Sequence, residues 1–171
     1  MRKTHIVWTR GDLQITVVNQ FSPIVQRRQV ERAGILANRD TKYDFPPYCA
    51  NESPDNRNIH AFLLHKQNKQ NKRKYVIGLL LIEKRSHIWR TRWTDFKAGK
   101  AEEISKHPPM WSVVMIWVLQ KYRGAHLGQT LVNIAVTYLG TQKQFGWYTE
   151  FTSSGESLAR RCCPDIFYIA K

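Results

Sequence analysis

Acidic residues are scarce in this chain. Only 13 Asp and Glu stand against 27 Lys and Arg, a formal net charge of +14 over 171 residues. A field of that sign suits nucleic acid, an anionic cofactor or an acidic macromolecular partner, and it does not choose among them. Cysteine is scarcer still. Cys49, Cys162 and Cys163 are odd in number and two of them are adjacent, so no disulfide framework is expected. There is no Cys-x-x-Cys, and the six histidines show no paired ligand spacing, so no metal site is expected. Long apolar runs are missing as well. The longest, around Val76–Ile82 and Val113–Leu119, fall far short of the roughly 20 residues a bilayer requires, so no membrane partner is expected. The first ten residues alternate charged and apolar types and do not read as a signal peptide. The expectation is an intracellular protein, cytoplasmic or associated with nucleic acid. The strict Gly-x-Gly-x-x-Gly of dinucleotide sites and the phosphate loop ending in Gly-Lys-Ser/Thr are both absent.

What is present reads as one globular domain spanning residues 1–171, with 42% hydrophobic residues to fill a core. Leu13–Val18 is rich in β-branched residues and predicts a strand. Ser22-Pro23 is a helix start, Ile24–Ala33 the helix, and Gly34 its expected C-cap. Thr41–Asn58, with three prolines, reads as a long loop. The apolar runs His60–His65 and Tyr75–Glu83 flank a basic connector holding Lys66, Lys69, Lys72, Arg73 and Lys74, the pattern of a hairpin with a basic tip. That tip is either a solvated loop or a phosphate-gripping finger.

In Ile88–Trp93, strand geometry would put Trp89 and Trp93 on one face and Ile88, Arg90 and Arg92 on the other. Such interleaving suits stacking on bases and equally suits a half-buried strand. Lys97–Pro109 reads as a polar linker. Val113–Leu119 predicts a buried strand, Lys121–Gly128 a turn, and Leu131, Ile134, Ala135, Tyr138 and Leu139 one helix face closed by Gly140. Phe145–Phe151 reads as a strand, Ser154–Cys163 as a helix stopped by Pro164, and Ile166–Ile169 as a last strand. The class is mixed α/β.

A strand running through a turn of small residues into a helix N-terminus is an anion site, because backbone N–H groups converge there and the helix dipole favours negative charge. Gly124, Ala125 and Gly128 keep side chains out of the way, and Arg123 adds a cation. The pyrophosphate of coenzyme A or of a nucleotide has these requirements. A plain turn satisfies the same pattern.

The run Ile116-Trp117-Val118-Leu119-Gln120-Lys121-Tyr122-Arg123-Gly124-Ala125-His126-Leu127-Gly128 resembles motif A of the GNAT acetyltransferases, with His126 in place of the middle glycine. Ile116-Trp117-Val118 and the tail Tyr148–Ala159, with Cys163 and Phe167-Tyr168-Ile169, resemble the acetyltransferase domain of cohesin acetyltransferases. The zinc finger that accompanies that domain has no counterpart here, so cohesin itself is not implied.

The resemblance implies a GNAT fold: a central, mostly antiparallel sheet splayed between two neighbouring parallel strands, here Val113–Leu119 and Phe145–Phe151, with helices on its faces. It implies acetyl-CoA in that gap, held by Val118, Leu119, Gln120, Arg123, Gly124, Ala125, His126, Leu127, Gly128 and Gln129. A backbone N–H near Leu119 would polarise the thioester carbonyl. Glu150 stands where the family carries a catalytic aspartate and is the expected general base, with Glu83 a second possibility. Tyr148, Ser153, Cys162 and Tyr168 are possible proton donors. Of these, Tyr148 joins Glu150 as the expected catalytic pair.

The implied reaction moves an acetyl group to a primary amine, with protein lysine first. An amine on nucleic acid or aminoacyl-tRNA is a second class, and a non-catalytic GNAT-fold nucleic-acid-binding module a third. Expected partners are an acidic or nucleic-acid-bound acceptor, with nucleic-acid contact through Lys66–Lys74 and Arg85–Arg92.

Overall fold

A computed structural model describes residues 4–44, 48–51, 58–105, 108–141 and 144–171. Among the described residues nine strands form one sheet in the order β1-β2-β3-β4-β7-β8-β9-β5-β6. The strands are β1 (His5–Arg10), β2 (Leu13–Asn19), β3 (Ile59–Gln67), β4 (Lys74–Arg85), β5 (Ile88–Arg92), β6 (Glu102–Glu103), β7 (Met110–Val118), β8 (Gly146–Trp147) and β9 (Ile166–Ala170). Every described pairing is antiparallel except β7 with β8 and β8 with β9. Among the described residues four α-helices are placed on it: α1 (Ile24–Thr41), α2 (Trp93–Lys97), α3 (Leu127–Leu139) and α4 (Ser153–Cys162). The expected mixed α/β sheet with parallel neighbours is what forms.

Two apolar layers sandwich the sheet. On one face Val30, Ala33 and Ala37 of α1 pack with Leu63, Leu79, Leu81, Met115 and Trp117. On the other, Leu131, Val132 and Ala135 of α3 and Leu158 and Ala159 of α4 meet Phe62, Leu80, Ile82 and Val113. Small residues on the inner face of α1 let the helix lie close to the strands. Near β5 and β9 the core is aromatic, with Trp93 stacked on Phe167 at 3.9 Å and its indole N–H donating to the Cys163 carbonyl at 2.7 Å.

Several sequence expectations are corrected. Gly34 does not end α1; it lies buried inside a helix that runs on to Thr41, and Lys42 takes the left-handed C-cap at φ 57°. Trp93 does not continue strand β5 but opens α2, where the aromatic core takes its ring. The expected strand Phe145–Phe151 shrinks to Gly146–Trp147. The linker Lys97–Pro109 contains β6, which pairs with β5. Much of the loop Thr41–Asn58 lies outside the described residues, as do residues 106–107 of the linker. β1 was not foreseen at all. The hairpin is as expected, its tip tightened because the Asn68 carboxamide oxygen accepts from the Gln70 and Asn71 N–H groups.

Candidate active site

The site begins with an irregularity in β7. Leu81 of β4 faces Met115 while Ile82 faces Val113, so Val114 is an extra residue on β7, a β-bulge. The bulge flips the alternation: Val113 packs on the α3 side, Met115 on the α1 side. It also turns β7 away from β8. The parallel pairing covers only Ser112↔Gly146 and Val113↔Trp147, with one more bond from the Tyr148 N–H to the Val113 carbonyl at 3.0 Å. Beyond that point β8 has ended and β7 continues to Val118 with its far side uncovered. Ser112 holds the closed end tight, because a Cβ on Gly146 would meet its hydroxyl at 2.4 Å.

The alternation decides which β7 amides face the opening. Leu119 donates its N–H to the Ile77 carbonyl at 2.8 Å, so Leu119, Trp117 and Met115 point their backbone groups at β4. Ile116 and Val118 therefore point theirs into the gap. Of the backbone N–H groups near Leu119, its own is committed to the sheet, and the donors that face the gap are those of Val118 and Ile116.

At the wide end lies a cleft of about 470 Å³, floored by Ile116, Trp117 and Val118 and walled by the starts of α3 and α4. Seven of the expected cofactor residues line it: Val118, Arg123, Gly124, His126, Leu127, Gly128 and Gln129. Leu119, Gln120 and Ala125 do not. α3 has no side-chain cap, and its first amides open toward the cleft. Gly124 holds φ 90°, a conformation a side chain would strain. His126 occupies the left-handed region at φ 57° without glycine's freedom.

Arg123 is less free than its position suggested. Its guanidinium bonds the Asp40 carboxylate and, through Nε, the Val118 carbonyl at 2.8 Å. Asp40 also accepts from the Trp117 indole N–H at 2.8 Å, so one carboxylate on α1 ties β7 to the turn. Gly128 serves packing: a Cβ there would press on the Leu158 side chain of α4 at 3.2 Å. Sequence reasoning missed Asp40, Thr41, Tyr122, Arg161 and the α4 residues Ser154, Gly155, Ser157 and Leu158 in this cleft. The signal for α4 was present, since Thr152 caps the helix by accepting the Gly155 N–H at 3.0 Å, but nothing local said that its start faces that of α3.

The narrow end of the gap is a slot of about 70 Å³ whose walls include Val113–Trp117, Trp147, Tyr148, Glu150 and Phe151, with Ala37, Thr41 and Tyr43 opposite. The slot and the cleft share Thr41, Ile116, Trp117, Thr152 and Gly155, so they form one continuous groove along the uncovered side of β7. Glu150 is exposed at its rim and forms no ion pair among the described residues. Glu83, by contrast, is tied to Arg85 at 2.6 Å. That arginine lies over the Tyr148 ring, 5.4 Å from its centre. Of the four possible proton donors only Tyr148 lines the groove, and burial pushes the Cys162 thiol up to about 11. Among the described residues no cluster of His, Cys, Asp or Glu could hold a metal, and no helix is long and apolar enough to cross a membrane.

No protein-family model matches the chain, and no curated protein matches it by sequence. Solved structures do. The xEco2 acetyltransferase domain bound to a K105-CoA conjugate superposes with a TM-score of 0.73 over 99% of this chain and 98% of that one, at 15% identity. A second structure of the xEco2 acetyltransferase domain gives 0.69 over 100% and 98%, again at 15%. The likeness seen in the last third of the sequence thus extends along the whole chain as a likeness of fold. An uncovered strand beside a short parallel neighbour, opening onto two helix starts, is built here on the fold of a GNAT-type acetyltransferase domain.

Proposed function

We propose that the chain is an acetyl-CoA-dependent N-acetyltransferase whose acceptor is a primary amine, most directly a protein lysine. The observation that carries this reading is the groove along β7, with the N–H groups of Ile116 and Val118 facing it and an anion-suited turn at its wide end. It is supported by a structural neighbour that is bound to a K105-CoA conjugate. Pantetheine would run along β7 as an added strand, and the pyrophosphate would meet the α3 amides with Arg161 nearby. The substrate amine attacks the thioester carbonyl carbon directly. The carbonyl oxygen takes the developing charge against the β7 amides. As the new C–N bond forms and the C–S bond breaks, Glu150 accepts the amine proton and Tyr148 offers one to the departing thiolate.

Glu150→Gln tests the base. The rate should fall on the order of a hundred- to ten-thousand-fold, with acetyl-CoA affinity nearly unchanged. Raising the pH should restore much of the activity, because free amine then becomes abundant. Near-normal turnover at neutral pH would remove Glu150 from the mechanism.

A second reading, contact with nucleic acid, is favoured by one specific observation. Lys66, Lys69, Lys72, Arg73 and Lys74 gather at the β3–β4 turn beside Arg10, at the end of the sheet where Tyr122 lines the cleft between the ammonium groups of Lys66 and Lys121. Arg85–Arg92 lies at the other end of β4, so the two basic segments would not grip together. Lys66 is already paired with Asp12 at 2.7 Å, which holds that carboxyl below its ordinary range. Changing Lys69, Lys72 and Arg73 to Gln should therefore lower the salt slope of oligonucleotide binding by roughly one unit per phosphate contact, while Lys66→Gln should not. An unchanged slope would leave the tip a solvated loop.

A further inference from the structure

The outer face of α1 is unlike a solvated helix face. Every exposed residue of the helix is one of Val25, Arg28, Gln29, Arg32, Ile35, Leu36 and Arg39. At 100° per residue these seven fall within roughly a third of the circumference, and they run about 21 Å along the axis. Val25 is 66% exposed, Leu36 48% and Ile35 40%. Both acids of α1 are turned away from this stripe: Glu31 accepts from the Ala50 N–H at 3.3 Å, and Asp40 holds Trp117 and Arg123. Among the described residues Arg28, Arg32 and Arg39 form no ion pair. The stripe therefore presents three cations and three aliphatic side chains with no acid between them.

We propose that this stripe docks an acidic, leucine-like segment of a protein partner. Three arginines with no ion pair among the described residues select a partner rich in Asp or Glu. The aliphatic residues between them distinguish it from a phosphate polymer, which such faces meet with cations and polar or aromatic groups. A second copy of the chain does not fit, because a two-fold pairing would set arginine against arginine. The place of the stripe gives it a purpose. Arg39 is next to Asp40 and Thr41 in the cleft wall, and Ala37 and Thr41 line the slot beside Glu150. A segment held on α1 would bring its neighbours to the mouth of the groove. The docking stands without the catalytic reading; its assignment to the acceptor rests on that reading.

The test measures anisotropy of a labelled peptide carrying Glu and Leu at helical spacing, against its Gln-for-Glu counterpart. The acidic peptide should bind the native chain in a salt-sensitive manner and the Gln peptide at least tenfold more weakly. The variant R28E/R32E/R39E should lose at least tenfold in affinity for the acidic peptide, and I35Q/L36Q severalfold. Unchanged melting and unchanged acetyl-CoA affinity check the fold of both, with R28Q/R32Q/R39Q replacing the reversal should it misfold. No binding by the native chain, or equal binding by all variants, overturns the docking. So does an oligonucleotide or a phosphatidylserine vesicle whose binding falls further than the peptide's in the same variants. Fusing the acidic segment to a lysine peptide should raise its kcat/KM as an acceptor. Intact docking without any acetyl transfer would count against the catalytic reading alone.

Discussion

Replacing Asp40 with Ala separates two roles that one carboxylate performs. It accepts from the Trp117 indole N–H at 2.8 Å, and Trp117 is only 3% exposed. Leaving that buried donor without a partner costs about 1–3 kcal/mol. It also pairs with Arg123, but the two side chains are 21% and 38% exposed, so water screens the pair and its worth is about 0.2–1 kcal/mol. A carboxylate in the last turn of α1 opposes the helix dipole, and removing it returns roughly 0.3–1 kcal/mol. The balance is a loss of about 2 kcal/mol, or a fall of roughly 4–8 °C in melting temperature for a chain of this size.

Asp40→Asn keeps an acceptor for the indole and removes only the charge. It should melt within a few degrees of the native protein. Since Asp40 is the one carboxylate lining the cleft among the described residues, its acetyl-CoA affinity should hold or rise. Thermal and urea melts of both variants, with calorimetry for acetyl-CoA, test this. If the Ala variant is as stable as the native chain, or the Asn variant loses as much, the indole bond is not what matters at this position.

Two other predictions concern packing and protonation. Gly128→Val should destabilise by about 1–3 kcal/mol through pressure on Leu158, and Leu158→Ala in the same chain should recover part of that loss in a double-mutant cycle; additive losses would free Gly128 from the α3–α4 contact. His65 is buried, hydrogen-bonded to Thr16 at 2.9 Å, and pushed down to about 4 by burial and by Lys74. The unfolded chain binds this proton near 6.5, so the contribution of neutral His65 is full above that pH and is lost as the pH falls from there toward 4. Between pH 7 and 5 the loss should be about 2 kcal/mol, visible in denaturant midpoints and absent in His65→Gln.

Much of the site was legible because its signals are local. Gly124 and Gly128 in the turn and the apolar stripe of α3 each lie within a few positions of what they specify. The misses share a different cause. Gly34 looked like a helix end, but nothing local revealed that Val30, Ala33 and Ala37 continue one buried face across it. The strand expected over Phe145–Phe151 has the right residues, yet β7 bends away at Val114 and leaves them no ladder beyond Trp147. The register of β7 on β4, which sends the Leu119 amide to Ile77 and leaves those of Ile116 and Val118 to face the gap, is not written in either strand alone. Asp40 and Arg161 reach the cleft from far along the chain, and no spacing rule connects them to Arg123.

The central claim is acetyl transfer to an amine at the β7 groove. It is tested most directly by incubating the native chain and Glu150→Gln with labelled acetyl-CoA and a cell extract, then separating protein from nucleic acid. The account predicts stable label on protein lysine with the native chain and little with the variant, although both bind acetyl-CoA equally. Label confined to nucleic acid would contradict the proposed acceptor. No label in either fraction, with oligonucleotide bound tightly and acetyl-CoA not at all, would make the chain a binding module built on an enzyme's fold.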